Sequence, residues 1–169
     1  MVLEQKSEFE MKMIQVVEPK IHEVGLKLYD LTWNSRSATM VIYIFDEKTD
    51  TANLDDCIKV DRALSQTFEE SDFIPENVTL EVSSPGIYRH LSTIEHFQKA
   101  IGQTVLFQLN KKIDEVLYPD FPKALRNNLK IKAKLCDATD TGVAIDLKEL
   151  KIDIPYNQIK KANIDQESN

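Results

Sequence analysis

Apolar residues Phe9, Met13, Val16, Val17, Ile21 and Val24 recur at helical spacing, with Glu10, Glu18, Lys20 and Glu23 mostly elsewhere. This pattern predicts an amphipathic helix over Phe9–Val24. Pro19 inside it is expected to kink the helix or start a second short one, and Gly25 to stop it. Leu26–Trp33 and Thr39–Phe45 read as strands rich in β-branched and aromatic residues, joined as an antiparallel hairpin by the polar Asn34–Ala38. Asn53 then caps a second helix, with Asp55 and Asp56 in its first turn, where carboxylates meet the positive helix end. Leu54, Ile58, Leu64 and Phe68 form its expected buried face. Past Pro75, Val78, Leu80 and Val82 alternate as a third strand. The order α-β-β-α-β predicts helices packed on one face of a small mixed sheet.

After Ser83-Ser84-Pro85-Gly86 the pattern changes. Ser92, with Glu95 three residues on, reads as a capping box for a short helix ending near Gly102. Everything beyond is β in character: Thr104–Leu109, Leu129–Leu135, Val143–Leu147, Leu150–Ile154 and Ile159–Ile164. Short strands at close spacing, with Asp140-Thr141-Gly142 at one turn, predict a small barrel. Asn110–Asn128, with Pro119 and Pro122, is a long loop. The expected fold class is α+β, with an N-terminal α/β domain over 1–91, a C-terminal β-barrel over 92–164 and a frayed tail over 165–169.

Composition sharpens this division. The chain has 169 residues and a net charge of −7, which argues against indiscriminate coating of nucleic acid. The charge is unevenly spread. Residues 1–91 hold 9 bases and 17 acids, net −8, whereas the Lys99–Lys134 segment holds 8 bases and 3 acids, net +5. Two modules with different surfaces are therefore expected. No apolar run approaches the roughly 18 residues of a membrane span. The opening Met-Val-Leu-Glu-Gln-Lys lacks the apolar core of a secretory signal, and a cytoplasmic location follows as the expectation. Cys57 and Cys136 read as reduced thiols.

Recognisable catalytic arrangements do not occur in the sequence: it contains no GxSxG, P-loop, GxGxxG or HExxH. His22, His90 and His96 are scattered and read as exposed. Asp46, Asp50, Asp55 and Asp56 flank one loop but lack the alternating acids and central glycine of a calcium loop, so no metal, cofactor or small-molecule substrate is expected. Ser83-Ser84-Pro85-Gly86 followed by Arg89 is more informative. Pro at the second turn position and Gly at the third are type II turn chemistry. The serine hydroxyls can bond the turn backbone or a phosphate, and Arg89 can hold a carboxylate or phosphate bidentately, or instead pin the joint between modules. Further on, Lys130, Lys132 and Lys134 share one strand face by the period of two. With Lys111, Lys112, Lys123 and Arg126 they form a basic stretch that could face RNA, or simply a solvated barrel surface.

These residues also carry a family likeness. Glu18-Pro19, Gly25-Leu26, Val41–Asp46, Leu54-Asp55-Asp56-Cys57, Val60–Leu64 and above all Leu80-Glu81-Val82-Ser83-Ser84-Pro85-Gly86 with Arg89 and Leu91 resemble the bacterial ribosome maturation factor RimP family. The likeness runs over roughly residues 7–164, more loosely in the C-terminal half. It implies an N-terminal α/β domain and a C-terminal Sm-like (SH3-like) barrel. It also implies a non-enzymatic factor for assembly of the small (30S) subunit, contacting rRNA and the small-subunit protein that lines the decoding centre. His90 departs from the proline usual in the family, and the Asn110–Asn128 loop is longer than usual. A monomer is the default expectation. The competing reading is a stand-alone Sm- or KH-like RNA-binding module, which would want aromatic platforms or a GxxG clamp.

Overall fold

The computed structural model describes residues 2–75, 77–87, 89–114, 118–147 and 150–165. The chain forms two compact units, one spanning Lys6–Gly86 and the other joining Met1–Gln5 to Ile87–Asn169.

In the first unit, α1 (Glu8–Glu23) is followed by β1 (Lys27–Asn34), β2 (Thr39–Phe45), α2 (Leu54–Glu69) and β3 (Thr79–Ser83). The sheet order is β1-β2-β3, with β1 antiparallel and β3 parallel to β2. Helix α1 buries Met13, Val17 and Ile21, one residue per turn, against Leu31, Met40, Ile42 and Ile44 of the sheet and Val60 and Leu64 of α2. The helix runs on through Pro19. Pro19 and Gln15, whose carbonyl loses its amide partner, both lie on the exposed side, where water can take the vacant acceptor. The buried face of α2 also departs from expectation. Val60 and Leu64 are buried, with Cys57 and Phe68 packed beside them, whereas Leu54 is 75% exposed and Ile58 also faces solvent. The pattern Cys57-Val60-Leu64-Phe68 keeps helical spacing, but its phase is set by the sheet and not by the first apolar residue after the cap.

Ser7 begins α1 through a capping box. Its backbone N–H and hydroxyl both donate to Glu10 Oε2 at 2.8 Å, and its Oγ accepts from the Glu10 N–H at 3.2 Å. The other carboxylate oxygen, Oε1, accepts from Trp33 N–H at 3.0 Å, so Glu10 closes the helix start and the free edge of β1 together. Beside it, Lys6 Nζ sits 2.6 Å from Asp30 Oδ1 and donates to the Leu31 carbonyl. Burial pushes the Glu10 carboxyl upward, but the bonds from Ser7 and Trp33 and the charge of Lys6 outweigh it and hold the pKa below its ordinary 4.5. A depressed carboxyl adds stability above its unfolded pKa and loses it as pH falls through the folded one. Glu10→Gln can accept at only one side-chain oxygen, so it is expected to cost about 1 kcal/mol at pH 7. Urea unfolding at pH 7 and again well below pH 4.5 checks this, because the gap between the proteins should narrow in acid.

The second unit holds α3 (Ile94–Lys99), β4 (Thr104–Leu109), β5 (Lys130–Ala138), β6 (Gly142–Leu147), β7 (Leu150–Pro155), a 3-10 turn over Tyr156–Gln158 and β8 (Ile159–Ile164). One antiparallel sheet runs β7-β6-β5-β4-β8. Its two edge strands are consecutive in the chain and joined by only the 3-10 turn, which forces the sheet to curl. No β7–β8 pairing occurs among the described residues. Phe97, Phe107, Phe121, Leu109, Leu135, Ile145 and Ile154 fill the core, and Val2 enters it from the chain's beginning at 1% exposure. Glu4 N–H donates to the Ser92 carbonyl, and its carboxylate lies 3.4 Å from His90 Nε2.

The cap of α3 is Thr93, whose hydroxyl accepts from His96 N–H. Ser92, expected as the cap, is buried and faces the His96 ring instead, so His96 is a buried residue and not an exposed one. His90 is half-buried, with Nδ1 3.0 Å from the Ala162 carbonyl, and only His22 is exposed as expected. Of the tail expected to fray, Asp165 donates its N–H to the Thr104 carbonyl, and 166–169 lie outside the described residues.

Candidate functional site

The Ser83–Gly86 turn ends the first unit. Gly86 has φ +73°, the left-handed value expected from type II chemistry, at which a side chain is strained. No neighbouring atom lies within 4 Å of where a Cβ would sit, so the backbone conformation alone selects glycine. Ser84 Oγ accepts from the Gly86 N–H at 3.1 Å and lies 3.4 Å from Thr51 Oγ1. Ser83 Oγ donates to the Ser84 carbonyl at 3.2 Å. Both hydroxyls therefore already serve the turn, and Pro85 is half-buried. Arg89 belongs to the second unit, where it is half-buried and its carbonyl accepts from the Ile164 N–H. Tyr88, between them, lies outside the described residues.

The lysine stretch resolves into distinct parts. In β5, Lys130, Lys132 and Lys134 are exposed while Ile131, Ala133 and Leu135 are buried, as strand alternation requires. Strand pairing then adds cations that the local sequence does not announce. Lys130 lies opposite Gln108, which lies opposite Lys161 of β8. On the other side, Lys134 lies opposite Asp146, which lies opposite Lys151 of β7. Directly opposed residues share a face, so Lys130, Lys132, Lys134, Lys151 and Lys161 occupy one side of the sheet. Asp146 offsets one of these charges, and Asp165 offsets another by pairing with Lys132 at 2.9 Å. Among the described residues, Lys130 and Lys134 have no ion pair. The Lys132–Asp165 pair is partly exposed and worth little, about 0–1 kcal/mol, so an incoming anion can displace the carboxylate.

One row further along, Asp137, Ala144 and Asp153 stand opposite one another across β5, β6 and β7. The face is thus polarised along the strands, cationic at one end and anionic at the other.

Lys111 and Lys112 stand apart from this face in sequence and in strand position. Both are exposed, and Lys112 donates to Asn127 Oδ1 at 3.1 Å. Arg126 does not project toward a ligand. Its guanidinium donates to the Phe121 carbonyl at 3.1 Å and the Pro119 carbonyl at 2.7 Å, tying together the described part of the long 110–128 loop, whose residues 115–117 lie outside the description. Among the described residues no three His, Cys, Asp or Glu side chains gather as a metal site, and no helix is long and apolar enough to cross a membrane. Cys57 and Cys136 are free thiols. Burial, and then the neighbouring Asp56 carboxylate, push the Cys57 thiol above its ordinary pKa, away from thiolate reactivity.

Residues 16–88 match the family described as the RimP N-terminal domain. That span runs from the middle of α1 through α2 and all three strands of the first unit and just past the Ser-Ser-Pro-Gly turn, so the first unit carries a RimP N-terminal domain.

Proposed function

We propose that this protein is a non-enzymatic maturation factor of the small (30S) ribosomal subunit, acting as a monomer in the cytoplasm. The observation that carries this reading is the RimP N-terminal domain over residues 16–88. Residues 6–86 hold 8 bases and 16 acids, a surface that suits a basic ribosomal protein such as the one lining the decoding centre. The curled five-stranded sheet, with its edges joined by three residues, supports an Sm-like barrel for the second unit. Its lysine face suits rRNA phosphates, and the Ser83–Gly86 turn with Arg89 serves as a further ribosome contact or as the joint between domains. Partial neutralisation by Asp146 and Asp165 keeps RNA affinity modest. A factor that must leave the finished subunit benefits from such weak, salt-sensitive contacts.

Co-sedimentation tests the reading. The protein is expected to pellet with purified small subunits and to stay with them when free unstructured RNA is added in excess. Release by free RNA in proportion to its nucleotide content would instead identify a stand-alone RNA-binding module.

A further inference from the structure

We infer that the lysine face of β5 and the 118–128 segment together form a groove for a single strand of RNA. The inference rests on the reading of that face as an rRNA contact and narrows it to one kind of RNA. A groove of about 700 Å³ runs between the Lys130–Lys134 segment of β5, whose three lysines and the alternating Ile131 and Ala133 all line it, and a wall of Pro122, Ala124 and Leu125 from the loop, with Thr104, Asp146 and Leu147 completing it. The wall is held in place by defined bonds. Phe121 anchors it in the core at 1% exposure, and Arg126 clamps the Pro119 and Phe121 carbonyls. Leu125 N–H donates to the Pro122 carbonyl and Asn128 N–H to the Leu125 carbonyl.

This arrangement selects an occupant. Lysines at every second position of a strand stand about 7 Å apart, a regular cationic ladder suited to the regular charges of an extended nucleic-acid backbone. The proline, alanine and leucine wall offers apolar surface to base faces but no side-chain donors that would read their edges, so little sequence preference is expected. A bare sheet face would accept a duplex as readily as a strand. The groove removes that freedom by its size, because about 700 Å³ holds a short stretch of one strand and not a duplex.

Fluorescence anisotropy of the full chain with a labelled ten-nucleotide oligouridylate, and with an RNA duplex of equal length, tests this across a salt series. The oligouridylate is expected to bind more tightly than the duplex. Replacing Lys130, Lys132 and Lys134 together by Ala should lower the log–log salt slope by roughly two, at about 0.7 per phosphate released from a single strand. Ala124 is exposed on the wall, so its variants test the groove without touching the core. Ala124→Glu should weaken oligouridylate binding about five-fold, the weight of one like charge at contact distance in water, and Ala124→Lys should strengthen it.

Equal binding of duplex and strand, or of a decaglutamate peptide and the oligouridylate, would overturn the groove. Indifference to both Ala124 variants while the triple lysine variant still loses affinity would overturn the groove and spare the lysine face as an RNA contact. No effect of any variant, with small subunits still pelleted by the protein, would overturn both.

Discussion

Removing Val2, Leu3, Glu4 and Gln5 is expected to destabilise the second unit by about 2–4 kcal/mol while leaving the first near its native stability. Val2 is as deeply buried as the central residues of the β-sheet core, and Leu3 packs against the same cluster. Burying one such side chain is worth about 1.5–3 kcal/mol, and deletion also leaves the Ser92 carbonyl without the Glu4 amide. The first unit begins only at Lys6, and its capping residues Ser7 and Glu10 and its Lys6–Asp30 pair survive the deletion. Hydrogen exchange on the full chain separates the two effects: amides of β4 and β8 should lose protection, and those of α1 and β2 should not. Equal loss in both units would mean that the segment does not belong to the second core alone. Val2→Asp, which buries an unpaired carboxylate, should reproduce the deletion.

Gly142→Ala should cost about 2 kcal/mol, within the range for forcing atoms into a packed site, and lower the melting temperature of the second unit by roughly 10 °C. A Cβ at this position would lie 2.5 Å from the Ile154 carbonyl oxygen and 2.8 Å from Pro155 Cα. Both are backbone atoms of the paired strand β7, so relief requires moving the strand and not merely turning a side chain. Gly142 stands opposite Pro155 at the start of the β6–β7 ladder, and its N–H is bound by Thr139 Oγ1 at 3.3 Å in the preceding turn. Thermal unfolding of the variant checks the magnitude. An unchanged midpoint would show that the β6–β7 ladder opens without cost. This differs from Gly86, where a positive φ is the whole constraint and open space surrounds the site.

The order of elements in both units was legible in the chain because each signal is local. Asn53 with Asp55 and Asp56 marks the start of α2, the Asn34–Ala38 stretch marks a hairpin, and Thr104–Leu109 and Ile159–Ile164 begin and end where alternation does. Placing Lys130, Lys132 and Lys134 on one face needed only the strand's period of two. The positive φ of Gly86 followed from proline and glycine chemistry in four residues. The family likeness rested above all on the local string that contains this turn, and the matched domain ends two residues past it.

What the chain could not show is whatever depends on residues distant in sequence meeting in space. Leu54 and Ile58 have the spacing of a buried face, but the sheet presses on α2 one step round, at Val60 and Leu64. Ser92 and Glu95 have the letters of a capping box, yet Leu91 and Ser92 are drawn inward and the cap passes to Thr93. Arg126 reads as a surface cation, but loop closure brings two carbonyls within reach of its guanidinium. Lys151 and Lys161 join the cationic face only because β7 and β8 flank β6 and β4. Val2 belongs to a core built from residues beyond position 87. Periodicity along the chain therefore determined which residues could share a face; long-range packing alone decided which face is buried and which charges become neighbours, because burial is a property of the contacting surfaces and not of either strand of sequence alone.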